Sequence, residues 1–510
     1  MKKNIFLILA VLIIAFFLSF NICRAADLEI VILHTNDIHG YAAPHTENVK
    51  DKDIKAGGLA HISTLIKEER DKNPGRIILL DGGDMYQGDP VSNIFQGKPI
   101  ADIMNEMGYD ASVVGNHEFD WGQDVLFKRI SQSKFPVLCA NVRNKQGQLL
   151  FKPYIIKEIE GVKVAVIGLT GEDTPFTTSP KVVDDLTFEN PEKVFGKYYP
   201  ELKQKCADII VVLSHMGKDN DIKLVKNMEG ADVIIGAHTH IPLHKPIIIK
   251  GVPVTQAGCK GEYLGKMVLV VDKDTKKIKK FTKGTEITKI DPSKIKEDPK
   301  IANMVNHYNN LVKSKMEEVL AVNKTDLINK RKGKANKKDI PLGNFICDVM
   351  QETSGADMTF YNPGGIRDSF YKGEITFGDV FKCLPFDNTL VTMNIKGKNI
   401  VSMLNKSFGP DDRGLFVSGM KMKFYPEDTG NCVRDIYIKD KTGGFEKIDP
   451  EKTYKIATNS FMAFVGGKYE DLEDCTDLKQ YAIIRDVVAD YMREKKVIDY
   501  KFESRIDVEK

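Results

Sequence analysis

The sequence predicts an α/β chain in two parts. The first is a layered domain, a β-sandwich with flanking helices, and the second is a smaller mixed α/β domain. Three observations carry this. Short apolar runs recur from Ile30 to about residue 285, with helix-like segments between several of them. Residues 272–300 then turn rich in Lys and Asp, with Pro292 and Pro299, which suits a boundary. The length of 510 residues fits about two to four domains. With 42% hydrophobic and 28% charged residues the chain reads as globular. That excludes a disordered chain, a polytopic membrane protein and a collagen-like repeat.

The chain opens with Lys2 and Lys3, an apolar run over 5–20, and small residues at Ala25 and Ala26. A positive start, an apolar middle and a small-residue exit describe a secretory signal peptide over 1–25. An uncleaved anchor is the competing reading. Cleavage predicts an exported protein, periplasmic or secreted, with no stable membrane anchor. It also removes Lys2, Lys3 and Arg24 but no acid, which leaves 71 basic and 71 acidic residues. That balance removes the composition argument for coating a nucleic acid polymer. Of the 8 cysteines only Cys23 would be lost, and there is no CxxC pair. Most of the remainder are expected as buried thiols, with a Cys432–Cys475 bridge left open.

The predicted strands follow in order at 30–33, 77–80, 112–114, 164–167, 209–213 and 232–235. Apart from Ser112 and Asp232 at their starts, these runs are continuously apolar, the signature of sheets covered on both faces. Helical spacing marks 59–70 and 125–131. Met304, Leu311, Met316, Val319 and Leu320 recur at helical spacing, which predicts one linking helix over 301–322. The expected domains are 26–285, a linker with its helix over 286–324, and 325–510.

Nine of the ten histidines fall at or before His244, which points the chemistry to the first domain. Polar groups follow five of the apolar runs directly: Asp37 and His39, Asp84, Asn116 with His117 and Asp120, His215, and His238 with His240. Ligands collect at the carboxyl edge of such strands. Singly, each group is more often a turn or a cap. Together they offer enough His, Asp and Asn donors for two divalent metal ions, and alternate residues in Asp37-x-His39 and His238-x-His240 point the same way on extended chain. Imidazole with carboxylate suits Zn²⁺, Mn²⁺ or Fe²⁺ rather than Ca²⁺, with Zn²⁺ or Mn²⁺ expected, and a carboxylate such as Asp84 can bridge two cations. Two such cations about 3.5–4 Å apart can activate water and clamp a phosphoryl group.

The runs Ile-Leu-His-Thr-Asn-Asp-Ile-His-Gly at 32–40 and Gly-Asn-His-Glu-Phe-Asp at 115–120 resemble the paired signatures of the 5′-nucleotidase family, within the calcineurin-like metallophosphatases. Gly-Gly-Asp at 82–84, Ser-His at 214–215 and Gly-Ala-His-Thr-His at 236–240 fit in order. The resemblance implies one metal on Asp37, His39 and His240, a second on Asn116, His215 and His238, and Asp84 shared. It implies a catalytic dyad of His117 and Asp120, in which an imidazolium held by a carboxylate stabilises charge on phosphoryl oxygens.

In the second domain Asn362-Pro-Gly-Gly-Ile-Arg367 is similar to the family's substrate loop, which implies Arg367 on the phosphate and Asn362 on the nucleobase. Phe386 and Phe461 fit the two aromatics that clamp the base. Two positions depart from the pattern. Lys338 stands where the family carries an Arg. Gly466-Gly467-Lys468-Tyr469 lacks the Asp that would accept the ribose hydroxyls, which leaves Glu470 or Asp471 to substitute. The expected activity is release of phosphate from nucleoside 5′-monophosphates and from larger nucleotides. Rival readings are a 2′,3′-cyclic phosphodiesterase or nucleotide-sugar hydrolase on the same site, a thiosulfohydrolase-like sulfur-ester hydrolase, and a non-enzymatic binding protein.

Overall fold

The computed structural model describes residues 27–49, 52–178, 182–281, 285–329, 337–410, 412–428, 431–440, 442–464 and 469–509. The expected signal peptide and residues 466–468 lie outside the described residues.

The first half is a sandwich of two sheets. One runs, in spatial order, Ile278–Phe281, Tyr263–Val271, Leu28–Thr35, Ile77–Asp81, Ala111–Val113 and Val137–Leu138, with Glu286–Lys289 also paired to Tyr263–Val271. The other runs Ile247–Ile249, Val252–Thr255, Val233–Ile235, Ile209–His215, Val162–Thr170 and Tyr154–Ile159. Strand alternation explains the layering. Ile30 and Ile32 meet Val164, Val166, Val211 and Leu213 between the sheets. Their neighbours Val31 and Leu33 face outward, onto the helices Leu59–Lys72 and Lys98–Met107. On the second sheet Ile210 and Val212 face Pro191–Gln204 and Lys218–Asn227. Both faces of the central strands are therefore buried, which is why they read as continuous apolar runs.

Leu28–Thr35, Ile77–Asp81 and Ala111–Val113 pair in parallel, as do Val162–Thr170, Ile209–His215 and Val233–Ile235. Parallel pairing brings the carboxyl ends of neighbouring strands to one edge. The loops carrying the polar motifs leave from those ends.

The second half holds a sheet ordered Phe416–Ser418, Met358–Tyr361, Thr453–Asn459, Thr389–Lys396 and Thr476–Ile483, with two smaller sheets. The connecting helix is Pro299–Met316, capped by Asp298. It packs on Leu59–Lys72 and Lys98–Met107 from the first half and on Phe377–Cys383 from the second.

Two expectations are corrected. The helix stops at Met316, and Val319–Asn323 is a strand between Gly373–Thr376 and Val497–Ile498. Val-Leu-Ala-Val satisfies helical spacing with Met316, but strand partners on both sides favour its β-branched residues in a sheet. Cys432 and Cys475 are both free thiols, so the bridge left open is absent.

Candidate active site

The five strand-end loops converge. Ligand atoms of Asp37, His39, Asp84 and His240 lie within 4.8 Å of one another, and so do those of Asp84, His215 and His238. Asp84 belongs to both groups. His39 Nε2 is 3.0 Å from His240 Nε2, and His240 Nε2 is 3.4 Å from Asp37 Oδ1. On the other side His215 Nε2 is 3.2 Å from Asp84 Oδ2, and Asn116 Oδ1 lies 3.2 Å from His215 Nε2 and 3.0 Å from His238 Nδ1.

The backbone is bent to aim these groups. Asp37, His39, Asp84, His238 and His240 all have left-handed φ angles, between 49° and 74°. Non-glycine residues adopt this region sparingly, with Asp and His among the more tolerant, and such outliers cluster at functional sites. Gly115 is required by close approach, since a Cβ there would stand 2.2 Å from Asp84 Oδ1.

The donor set fits divalent cations. The carbonyl of Gln87 accepts from His39 Nδ1 at 2.8 Å, and the carbonyl of Gly82 accepts from His215 Nδ1 at 2.7 Å. Each carbonyl fixes the proton on Nδ1 and leaves the Nε2 lone pair facing the cluster, the usual second contact of a metal-bound histidine. Burial holds His39 well below its ordinary pKa and also lowers His238, which keeps both rings neutral. Burial works the other way on Asp84, but the His215 and His117 rings outweigh it and hold the carboxyl well below its usual range. Against its own burial, His215 is pushed up to about 10 by Asp84.

Beside the cluster, His117 Nδ1 lies 2.7 Å from Asp120 Oδ2, and the His117 N–H donates to Asp84 Oδ1 at 2.9 Å. Burial lowers the His117 pKa, but the Asp120 and Asp84 carboxylates outweigh it and raise it overall. The ring of His117 stands 5.3 Å from that of His39 and stacks at 5.6 Å on Phe386, which comes from the second half. Arg367 lies 5.7 Å over the Phe386 ring. Asn93 of the first half donates to Pro385 O at 2.8 Å, next to Phe386.

The remaining expected residues are less central. Asn362 accepts from Asn459 Nδ2 at 2.7 Å, and Phe461 is half-buried against the core of the second half. Lys338 is exposed. Glu470 and Asp471 are both held by Lys406, at 2.6 and 3.0 Å.

Four contributors escaped the sequence reading. Buried Glu118 accepts the N–H groups of Asp84, Met85 and Gly115, each at 2.8 Å, and burial pushes its carboxyl up to about 8. Asn36 donates to Asp37 Oδ2 at 2.7 Å and to Gly258 O at 2.6 Å. Both residues lie inside the two motifs, but nothing in the motifs marks either as a buried hydrogen-bonding partner. Thr178 donates to Asp120 Oδ1 at 2.8 Å, and Ser214 donates to buried Asp221. Neither Thr178 nor Asp221 has a local signal.

Residues 30–242 match the family described as calcineurin-like phosphoesterase, and residues 319–474 match the 5′-nucleotidase C-terminal domain. The chain is 31% identical over 517 residues to Protein UshA of Yersinia enterocolitica, covering 89% of this chain and 90% of that one. The 5′-nucleotidase precursor from Thermus thermophilus superposes with a TM-score of 0.84 at 30% identity, covering 94% of this chain and 99% of that one. Endonuclease YhcR of Bacillus subtilis is 31% identical over 473 residues, covering 86% of this chain, but this chain spans only 38% of that protein's length.

Proposed function

The chain belongs to the calcineurin-like phosphoesterases that carry a 5′-nucleotidase C-terminal domain, and from that premise we propose that it releases phosphate from nucleoside 5′-monophosphates and from larger nucleotides. The observation that carries the reading is the shared carboxylate: Asp84 stands in both ligand groups, with His117 hydrogen-bonded through its backbone to that same residue.

In this reading Asp37, His39 and His240 would hold one cation, Asn116, His215 and His238 would hold the other, and Asp84 would serve both. Bound Zn²⁺ or Mn²⁺ pairs supply an activated water and charge neutralisation at the phosphoryl oxygens. The chain's own residues do the rest. Asp120 orients His117 and favours its cationic form, which suits a ring facing developing negative charge. Arg367 takes phosphate oxygens with a fork suited to them. Phe386 and Phe461 offer stacking faces to the base, a contact that tolerates different bases. Asn362 and Lys338 complete the expected substrate contacts.

Residues 1–25 as a cleaved leader make this an exported enzyme, and amino-terminal sequencing of the mature protein tests that. Among the described residues no helix is long and apolar enough to cross a membrane. The activity is tested by phosphate release from AMP, UMP, ATP, UDP-glucose and 2′,3′-cyclic nucleotides, with Mn²⁺ and Zn²⁺ added separately. Release from AMP and UMP that depends on added metal supports the reading. Activity confined to cyclic nucleotides or UDP-glucose would replace it with one of the diesterase readings.

A further inference from the structure

Three of the loops that carry candidate ligands are joined in series by backbone hydrogen bonds, and Glu118 closes the series. Its Oε2 accepts the N–H groups of Asp84 and Gly115, and its Oε1 accepts the N–H of Met85, each at 2.8 Å. The carbonyl groups of the same turn face the other way. Gly83 O accepts from Asp37 N, Asp84 O from His39 N and Met85 O from Gly40 N, each at 2.9 Å. The turn at 83–85 is thus held on its N–H side by Glu118, and on its carbonyl side it holds the backbones of Asp37 and His39. In return the His117 N–H donates to Asp84 Oδ1 at 2.9 Å. That leaves Oδ2 as the oxygen near His215 Nε2, at 3.2 Å, and His39 Nε2, at 3.8 Å.

The turn needs such a clamp. Gly83 and Asp84 have left-handed φ angles of 87° and 54°. A non-glycine residue keeps that conformation only where its surroundings over-determine it. A Cβ on Gly115 would meet Asp84 N at 2.7 Å and Glu118 Oε2 at 2.9 Å, so the two loops are already in contact, and Glu118 is buried between them. A carboxyl oxygen, ionised or protonated, keeps a lone pair for an incoming N–H, whereas an amide nitrogen has none. Glutamine at 118 would therefore turn its NH₂ on the Met85 N–H in one orientation, and on the N–H groups of Asp84 and Gly115 in the other. Neither orientation serves all three donors, and an unmet buried donor costs its desolvation.

Glu118 belongs to neither ligand group, and the reading above gives it no step. We infer that Glu118 is a positioning residue for both metal ions. By fixing the 83–85 turn against the 115–118 loop, it sets where the shared carboxylate of Asp84 stands relative to Asn116. Through the carbonyl side of the same turn it sets Asp37 and His39 as well. Partners of this kind behind metal ligands are worth about 10–100-fold in metal affinity. The inference rests on the dimetal reading.

The test uses the full chain, stripped of metal and titrated with Mn²⁺ by calorimetry, with the melting temperature of the metal-free form measured alongside. Glu118→Gln is expected to weaken both cations about tenfold or more. Glu118→Asp keeps the carboxyl on a shorter side chain and is expected to fall between Glu118→Gln and wild type. Asp232→Asn is the control for a merely structural role. Asp232 Oδ2 accepts Ile210 N at 2.8 Å, beside the amino ends of the strands Ile209–His215 and Val233–Ile235, at the edge away from the ligands. That variant should lower the melting temperature and leave both affinities unchanged. Wild-type affinities in Glu118→Gln, or equal weakening in Asp232→Asn, would overturn the inference and leave Glu118 as support for the fold. Weakening of one cation alone would overturn it too, because the 83–85 turn serves both. If Glu118→Gln does not fold, Glu118→Asp is read by the same outcomes. Fewer than two cations on wild type would instead remove the dimetal reading, and the role of Glu118 with it.

Discussion

His117 and Asp120 meet through Nδ1 and Oδ2 at 2.7 Å, three residues apart on one short turn. The turn is the 3₁₀ segment His117–Phe119, with Asp120 closing it by a backbone bond to His117 O. Thr178 holds the second oxygen of Asp120 at 2.8 Å, which fixes the carboxylate and through it the plane of the imidazole. Nε2 is left as the ring's available donor, beside His39 and Phe386.

The first prediction follows from that arrangement. His117→Ala should lower kcat by about two to four orders of magnitude, the range for a positioned acid–base or electrostatic group. Metal content should stay near normal, since no ring atom of His117 belongs to either ligand group. Elemental analysis decides: loss of metal would move His117 among the ligands. Asp120→Asn should show a smaller loss, because the ring stays in place while its charge is no longer supported.

Asp84→Asn tests the bridge. The residue contributes to both groups, so both cations should be lost or weakened together, with activity. His240→Ala should weaken one cation and spare the other. Retention of two metals and full activity in Asp84→Asn would remove the bridging role.

The two-part α/β fold was legible in the sequence, and so was the gathering of candidate ligands at one edge of its sheets. Asp37, His39, Asp84, Asn116, His215, His238 and His240 were readable as a group because each lies at or within a few residues of the carboxyl end of a buried strand, and those strand ends share an edge. Glu118 is buried beneath them and holds three backbone N–H groups, but its type and position alone look like an exposed acid after a histidine. Asp221 depends on a contact with Ser214 that only the folded chain creates. The strand Val319–Asn323 departs from the expected helix because Met316, Val319 and Leu320 stand at i, i+3 and i+4, a helical spacing, while the partners at 373–376 and 497–498 that hold it in a sheet are distant in sequence.

Phe386 should matter more than Phe461 for catalysis, although both are expected to contact the base. Phe386 stacks on His117 and carries Arg367 over its ring, whereas Phe461 packs on its own domain's core. Phe386→Ala should therefore lower kcat/KM for AMP about tenfold or more, combining a lost stacking face with a freed His117 ring. It should also reduce activity on a small aliphatic phosphate. Phe461→Ala should affect AMP and barely touch the aliphatic ester. Equal behaviour of the two variants on both substrates would count against this division.

Asp298 ties the connecting helix to the first half and gives a pH-dependent prediction. It caps the connecting helix by accepting from Lys300 N at 3.1 Å, and it accepts from Ser63 Oγ at 2.5 Å and pairs with Lys67 Nζ at 2.7 Å on the helix Leu59–Lys72. Burial alone would raise its pKa, but the Lys67 ammonium, the Ser63 hydroxyl and the Lys300 N–H outweigh it and hold the carboxyl below its ordinary value. A carboxylate with a depressed folded pKa adds stability above its unfolded pKa of about 4, and loses that contribution as pH falls through the folded value. Asp298→Ala should cost about 1–2 kcal/mol at neutral pH, from the lost cap and the lost hydrogen bond of buried Ser63. Asp298→Asn keeps the capping oxygen and loses the charge, so it should cost less, and its deficit should shrink as pH falls below about 4. Melting temperatures of wild type and both variants at pH 7 and pH 3.5 check this. A deficit for Asp298→Asn that stays constant across that range would mean that the charge on Asp298 contributes nothing to holding the helix Pro299–Met316 against the first half.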